Sequence, residues 1–146
     1  MVNWVQVFAL SFGFDSLIKK ARKVALRVLE LLNKRGLSLE IYLVNSKEMR
    51  ALNQKFRGKD RATDVLSFEA VSPTVFYEPK VGRARNFRSV GEIYLDPEHI
   101  KIKKETLERM LVHGVLHLLG YDHKKAKETT RMEKLEQKLL RVLMDK

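Results

Sequence analysis

The sequence predicts an α+β protein of a single domain, with about four short strands in a mixed sheet packed with four or five helices. Three observations carry that expectation. The length, 146 residues, leaves room for one hydrophobic core and not two. Short stretches of alternating apolar residues are interleaved with longer stretches of helical period. The balance of 45% apolar and 32% charged residues is that of a folded globular chain and argues against disorder.

The elements follow in order. Val2–Leu10 is β-branched and aromatic with partial alternation, a first strand. Asp15 or Ser16 is placed to cap a helix whose apolar positions are Leu17, Ala21, Val24, Ala25, Val28, Leu31 and Leu32, and Gly36 stands where a helix commonly stops. Leu37–Val44 alternates as a second strand, and Ser46 can cap a short helix running to Phe56. After a basic loop, Arg57–Thr63, comes a third strand, Asp64–Ala70. Val71–Ser89, with two prolines and three arginines, reads as the longest irregular stretch. Val90–Leu95 is a fourth strand, stopped by Asp96-Pro97. Helices are expected over Lys104–Leu119 and Glu128–Met144, separated by the loop Gly120–Lys127. There is no internal repeat.

Composition excludes several classes of function. The chain has no cysteine, which rules out a disulfide scaffold, a thiol nucleophile and any cysteine-held zinc or iron–sulfur site. A metal would have to be held by His, Asp or Glu. No basic, apolar leader is apparent, and no stretch approaches the roughly 20 apolar residues of a membrane span, so a soluble, cytoplasmic protein without membrane contact is expected. Basic residues outnumber acidic ones by 29 to 18, a net charge of +11 that suits a polyanionic partner. The excess lies in 1–63, 80–88 and 124–146, while 64–79 and 89–123 are mildly acidic. Basic segments around an acidic centre suit nucleic acid held about a catalytic core; lysine-rich helices that are merely solvated would look the same.

The stretch that carries chemistry is His113–His123, HGVLHLLGYDH. Its helix is apolar almost all round, so it is expected to be buried. His113 and His117, four apart, lie on one face, and burying two imidazoles is costly unless something satisfies them. Gly120 can end the helix in a left-handed conformation and let His123 return to the same point. Three imidazoles there would leave a tetrahedral metal one open position, the mark of a catalytic site. Three of the chain's four histidines fall in this pattern; the fourth, His99, reads as a hydrogen-bonded core residue. The spacing is that of the metzincin zinc peptidases, HExxHxxGxxH, with Gly114 where their water-activating glutamate stands. Peptidase chemistry is therefore not expected. A glycine in mid-helix costs about 1 kcal/mol relative to alanine, and it suggests close approach of something bulky, such as substrate, at that point.

HGVLHLLGYDH resembles the HGxLHLxGYDH signature of the YbeY family, metal-dependent bacterial endoribonucleases of ribosomal RNA maturation and ribosome quality control. Leu52–Phe68 is similar to that family's LNxxYR…TDVLSF segment, with Phe56 for the commoner Tyr and Ala62 for a common Pro. Gly91-Glu92-Ile93 resembles its GDI strand, with Glu92 for Asp. The resemblance implies one zinc ion on His113, His117 and His123, catalytic roles for Arg57 and the His113 site, and action on single-stranded RNA near the 3′ end of 16S ribosomal RNA, with the small ribosomal subunit as partner and no DNA. Three imidazoles equally suit nickel, cobalt or copper.

The residues themselves give these roles a physical basis. Phosphodiester cleavage builds charge on non-bridging oxygens, which a guanidinium such as Arg57 can fork. Asp122 is a candidate to orient a ligand imidazole or to assist as base. Lys59, Arg61, Arg83, Arg85 and Arg88 are candidate contacts to the RNA backbone. The alternative is an RNA-binding ribosome-assembly factor whose metal is chiefly structural.

Overall fold

The structure, a computed structural model, describes residues 2–70, 75–77, 86–121 and 126–144, with side chains for all of these except 75–77, 86 and 126–129. Alternation sets the sheet. In β2 (Leu37–Leu43), Leu37, Leu39, Ile41 and Leu43 are buried. β1 (Trp4–Ala9) lies parallel to it, with Val5 opposite Leu39 and Val7 opposite Ile41. A parallel pair needs a crossover, and α1 (Ile18–Leu31) supplies it, burying the stripe Ala21, Ala25, Val28 and Leu29.

The other elements are α2 (Ser46–Arg57), β3 (Val65–Glu69), β4 (Val75–Tyr77), β5 (Asn86–Leu95), α3 (Pro97–Ile102), α4 (Leu107–Leu118) and α5 (Ala126–Met144). The strand order is β1-β2-β5-β3; β5 runs parallel to β2 and antiparallel to β3, and β4 pairs with the first residues of β5. The sheet is mixed and the fold is α+β, as the sequence predicts. No helix among the described residues is long and apolar enough to cross a membrane.

β5 is central, and its register slips once. Ser38 faces Ser89 while Leu39 faces Gly91, so Val90 is an extra residue. The slip sends Ile93 and Leu95 into the main core and Glu92 and Tyr94 to the opposite face. Gly91 makes it possible: its φ is +132°, and a Cβ there would stand 2.1 Å from the Phe68 carbonyl oxygen.

One face of the sheet carries the main core, under α1 and α4, with α5 behind α4. Ile93, Leu111 and Leu116 are fully buried there, each contributing on the order of 2 kcal/mol. The other face holds a smaller cluster in which Met49 and Leu52 of α2 meet Val44, Leu66, Tyr42, Phe68 and Tyr94.

Several boundaries differ from the sequence reading, each for a local reason. The cap of α2 is Asn45 and not Ser46: Asn45 Oδ1 accepts from the Glu48 amide at 2.8 Å, and Glu48 Oε1 accepts from the Asn45 amide at 3.3 Å. α1 has no side-chain cap from Asp15 or Ser16, which lie in a single 3₁₀ turn, Asp15–Leu17. It ends at Leu31 through a left-handed Asn33, and Gly36 opens β2 instead of closing the helix. Asp96-Pro97 does stop β5, and it also starts α3, with Asp96 Oδ1 accepting from the His99 amide at 3.0 Å. Lys104, expected at the start of the next helix, takes a left-handed φ of 58°, and α4 begins after Thr106, whose Oγ1 accepts from the Arg109 amide at 3.1 Å. Part of the stretch read as irregular, 75–77 and 86–89, pairs as strand; 71–74 and 78–85 lie outside the described residues.

α4 comes unusually close to the sheet. A Cβ on Gly114 would meet Ile93 Cδ1 at 3.0 Å and Ser67 Oγ at 3.2 Å. The bulky neighbour expected at Gly114 is therefore the protein's own sheet and not a substrate. Gly91→Ala is expected to lower the free energy of unfolding by more than about 3 kcal/mol, through a forbidden φ and a backbone clash. Gly114→Glu, which completes an HExxH sequence, should cost at least as much, since it presses a carboxylate-bearing side chain against Ile93 and Ser67 where a Cβ alone is already crowded. Urea unfolding of the two variants measures both losses.

Candidate functional site

The site is built where α2 ends, where β3 forms the sheet edge, and where α4 exposes one face. α2 is stopped by Gly58, whose φ of 69° is left-handed and whose amide donates to Gln54 O at 3.0 Å. That stop puts Arg57 in the last helical turn, beside the edge strand. Its Nη2 donates to the Ser67 carbonyl at 3.0 Å, and its guanidinium carbon stands 5.4 Å from the centre of the Phe68 ring. An outward carbonyl of an edge strand needs a partner, and Arg57 provides one while staying exposed.

The loop after α2 is tied back to the helix. Asn53, buried in α2, donates from Nδ2 to the Arg61 carbonyl at 2.8 Å. Arg50 holds Asp60 in a two-pronged ion pair at 2.7 and 2.9 Å, and that pairing keeps the Asp60 carboxyl below its ordinary range. With Asp60 engaged by Arg50, Lys59 and Arg61 line a cleft of about 290 Å³ together with Arg57, His113 and His117.

His113 and His117 project from consecutive turns of α4 with ring centroids 5.2 Å apart. Gly114 seats the helix against Ser67 and Ile93, which fixes the depth at which the two rings stand beside β3. Gly120, at φ +96°, ends the helix as the sequence predicts, with the Gly120 amide donating to His117 O and the Tyr121 amide to Leu116 O. His113 Nδ1 lies 3.1 Å from Glu136 Oε1. Glu136 belongs to α5 and is 8% exposed, with Asp96 one of two buried carboxylates among the described residues. A carboxylate only accepts, so in the neutral ring the proton sits on Nδ1 and the lone pair on Nε2.

The structure thus brings Arg57, Lys59, Arg61, His113 and His117 to one cleft. Arg88 is exposed on β5 opposite Leu37, at the far end of the strand from Glu92–Leu95, and does not line it. His123, Asp122, Arg83 and Arg85 lie outside the described residues. Among the described residues, no three His, Asp or Glu side chains gather to hold a metal. His99 stands apart, its Nε2 3.3 Å from Asp64 Oδ1.

Three participants escape the sequence reading. Glu136 is 23 positions from His113 on another helix, with nothing but an amphipathic pattern around it. Asn53 falls within a recognisable segment, yet its task is to hold a backbone carbonyl. The third is a second, wider cavity of about 730 Å³ that shares Arg57, Ser67 and His117 with the cleft and continues over the edge of β3 to Phe56, Phe68, Glu92, Tyr94 and Tyr121. Phe56, Phe68 and Glu92 all fall in segments the sequence singles out, but nothing local shows that they line one cavity.

The comparisons agree with this architecture. The sequence model described as Endoribonuclease YbeY matches residues 7–144. The Endoribonuclease YbeY of Thermodesulfovibrio yellowstonii is 35% identical over 140 residues, covering 90% of this chain and 79% of that one. That of a Chelativorans species is 40% identical over 114 residues, covering 73% of this chain and 66% of that one. Among solved structures, the solution structure of TM1509 from Thermotoga maritima is similar with a TM-score of 0.58 and 27% identity, over 94% of this chain and 87% of that one. A family match running from the first strand to the end of the last helix, with relatives at these identities, shows that the chain belongs to the endoribonuclease YbeY family.

Proposed function

We propose that the chain is a single metal-dependent hydrolase domain, an endoribonuclease that cuts single-stranded RNA in the maturation of ribosomal RNA, working in the cytoplasm on the small ribosomal subunit. The observation that carries the reading is one cleft lined jointly by two imidazoles and three cationic side chains. The donor set fits a metal: two imidazoles on consecutive turns, one of them backed by a buried carboxylate. His113, His117 and His123 are assigned to hold one zinc ion, and nickel, cobalt or copper would suit the same donors. A divalent ion held this way supplies Lewis acidity, activating water and polarising a phosphoryl oxygen.

The remaining work belongs to the chain. Glu136 keeps His113 in the tautomer that presents Nε2 and fixes its ring plane. Arg57 is anchored on Ser67 O before substrate arrives, so its guanidinium meets the developing negative charge without reorganising. Lys59 and Arg61 lie along the same cleft and suit flanking phosphates, which they bind without reading sequence. Position 114 plays no part as a base, because it faces the sheet.

His117→Ala is expected to abolish cleavage of an end-labelled single-stranded RNA assayed with added zinc while leaving the circular dichroism spectrum unchanged. Arg57→Ala should lower kcat by about 10²–10³ with a smaller change in KM, and Arg57→Lys should recover little, because an ammonium cannot hold Ser67 O and fork a phosphate together. Glu136→Gln is expected to weaken zinc binding by about 10- to 100-fold in a chelator competition. A wild type that binds RNA but cuts none with any divalent metal overturns the nuclease reading in favour of an assembly factor.

A further inference from the structure

The wider cavity has a chemistry unlike that of the cleft it adjoins. Phe68 sits edge-on to Phe56, with centroids 5.2 Å apart and planes at 62°, and edge-on to Tyr94 at 5.7 Å and 78°. Tyr94 stacks on Tyr42 at 4.8 Å and 14°, and Tyr42 on Phe8 at 5.3 Å and 22°, so the aromatic row runs across all four principal strands. Its outer member, Phe56, is 54% exposed. The cavity's charges are acidic: Glu69 and Glu92 line it, with Arg57 at its junction with the cleft. Glu92 Oε2 accepts from the Tyr94 hydroxyl at 3.1 Å, which orients the carboxylate beside that ring. A carboxylate offers about four lone-pair sites, so one bond leaves acceptor capacity.

Carboxylates repel phosphate, so this end of the site does not suit an RNA backbone in a chain of net charge +11. Aromatic faces beside an acceptor suit a nucleobase. A volume of about 730 Å³ is ample for one. The two surfaces meet at Arg57, which borders both.

We propose that the aromatic cavity is a base subsite of the RNA substrate, in which an unpaired base next to the cleaved phosphodiester stacks among Phe56, Phe68 and Tyr94 while Glu92 accepts a hydrogen bond from its amino group. The proposal rests on the nuclease reading and adds a preference to it. Adenine, cytosine and guanine carry an exocyclic amino donor. Uracil turns two carbonyl oxygens toward any group that approaches its N3–H, and a carboxylate rejects them. Glu92 is therefore a specificity residue that disfavours uracil, and the rings supply affinity for every base.

The test is fluorescence anisotropy with labelled 2′-O-methyl octanucleotides of adenine, cytosine or uracil, checked intact on a gel after titration against the zinc-loaded protein. The adenine and cytosine strands are expected to bind about five- to tenfold more tightly than the uracil strand. Glu92→Gln, whose amide both donates and accepts, should bring the three within about twofold. Phe56→Leu, on an exposed position that keeps an apolar side chain, should weaken all three by about tenfold. Equal affinities in the wild type, a preference that survives Glu92→Gln, or unchanged binding by Phe56→Leu would each overturn the proposal, the last handing the aromatic row to a protein partner. Parallel assays on unmodified strands separate this failure from that of the nuclease reading. Cutting without base preference sinks the subsite alone, whereas base-selective binding without cutting supports the subsite and sinks the nuclease.

Discussion

The candidate site depends on how closely α4 lies against the sheet. Helix propensity would favour alanine over glycine at 114 by about 1 kcal/mol, yet a single Cβ there would press on Ile93 Cδ1 at 3.0 Å and Ser67 Oγ at 3.2 Å. The missing side chain lets the helix sink until His113 and His117 stand beside β3. The same strand presents the Ser67 carbonyl on which Arg57 is anchored. One residue, Ser67, therefore sets the distance between imidazoles and guanidinium from both sides. The constraint also explains why the peptidase pattern is broken at this position. A glutamate there would have to start from the crowded helix–sheet contact with Ile93 and Ser67, so the packing that aligns these histidines with Arg57 opposes a base at 114.

Electrostatics divides the site along the edge of β3. Asp60, in the basic loop, is engaged by Arg50, and Glu136 is committed to His113, so the cleft beside Lys59 and Arg61 keeps its cationic character. Across the strand, burial first and the neighbouring Glu92 second push the Tyr94 hydroxyl up to about 12, and burial with Glu40 pushes Tyr42 higher still. A raised phenol stays protonated throughout the working pH range, so both tyrosines act there only as donors toward Glu40 and Glu92. The two hydroxyls thereby hold the carboxylates in orientation.

What the sequence disclosed was local. The i, i+4 histidines, the left-handed Gly120 and the alternation of Leu37–Leu43 are each readable within one element, and each stands as expected. Where two adjacent residues were both good caps, Asn45 prevailed over Ser46 because Glu48 stands three residues after it and because Ser11, from a distant loop, bonds both Asn45 N and Glu48. Gly114 was legible as unusual but not in its cause, since its neighbours Ser67 and Ile93 come from two other strands. Glu136 was illegible for the same reason: a glutamate on an amphipathic helix looks solvated until the helix is docked. The short α3 and β4 lie below the length at which periodicity speaks.

The loop from Gly58 to Thr63 shows how weak interactions can still decide placement. An exposed ion pair such as Arg50–Asp60 adds little to global stability. The buried Asn53 contributes more, because a polar side chain at 3% exposure is costly unless bonded, and the Arg61 carbonyl is its partner. Both tethers end on α2, whose own start is locked by the Asn45–Glu48 box and whose end is fixed by Gly58. The cations are thus referenced to a rigid helix and, through Arg57, to the edge of the sheet. A loop held only by its chain ends would spread Lys59 and Arg61 over solvent. Held at two interior points, it keeps them along the rim of the cleft that the two histidines line.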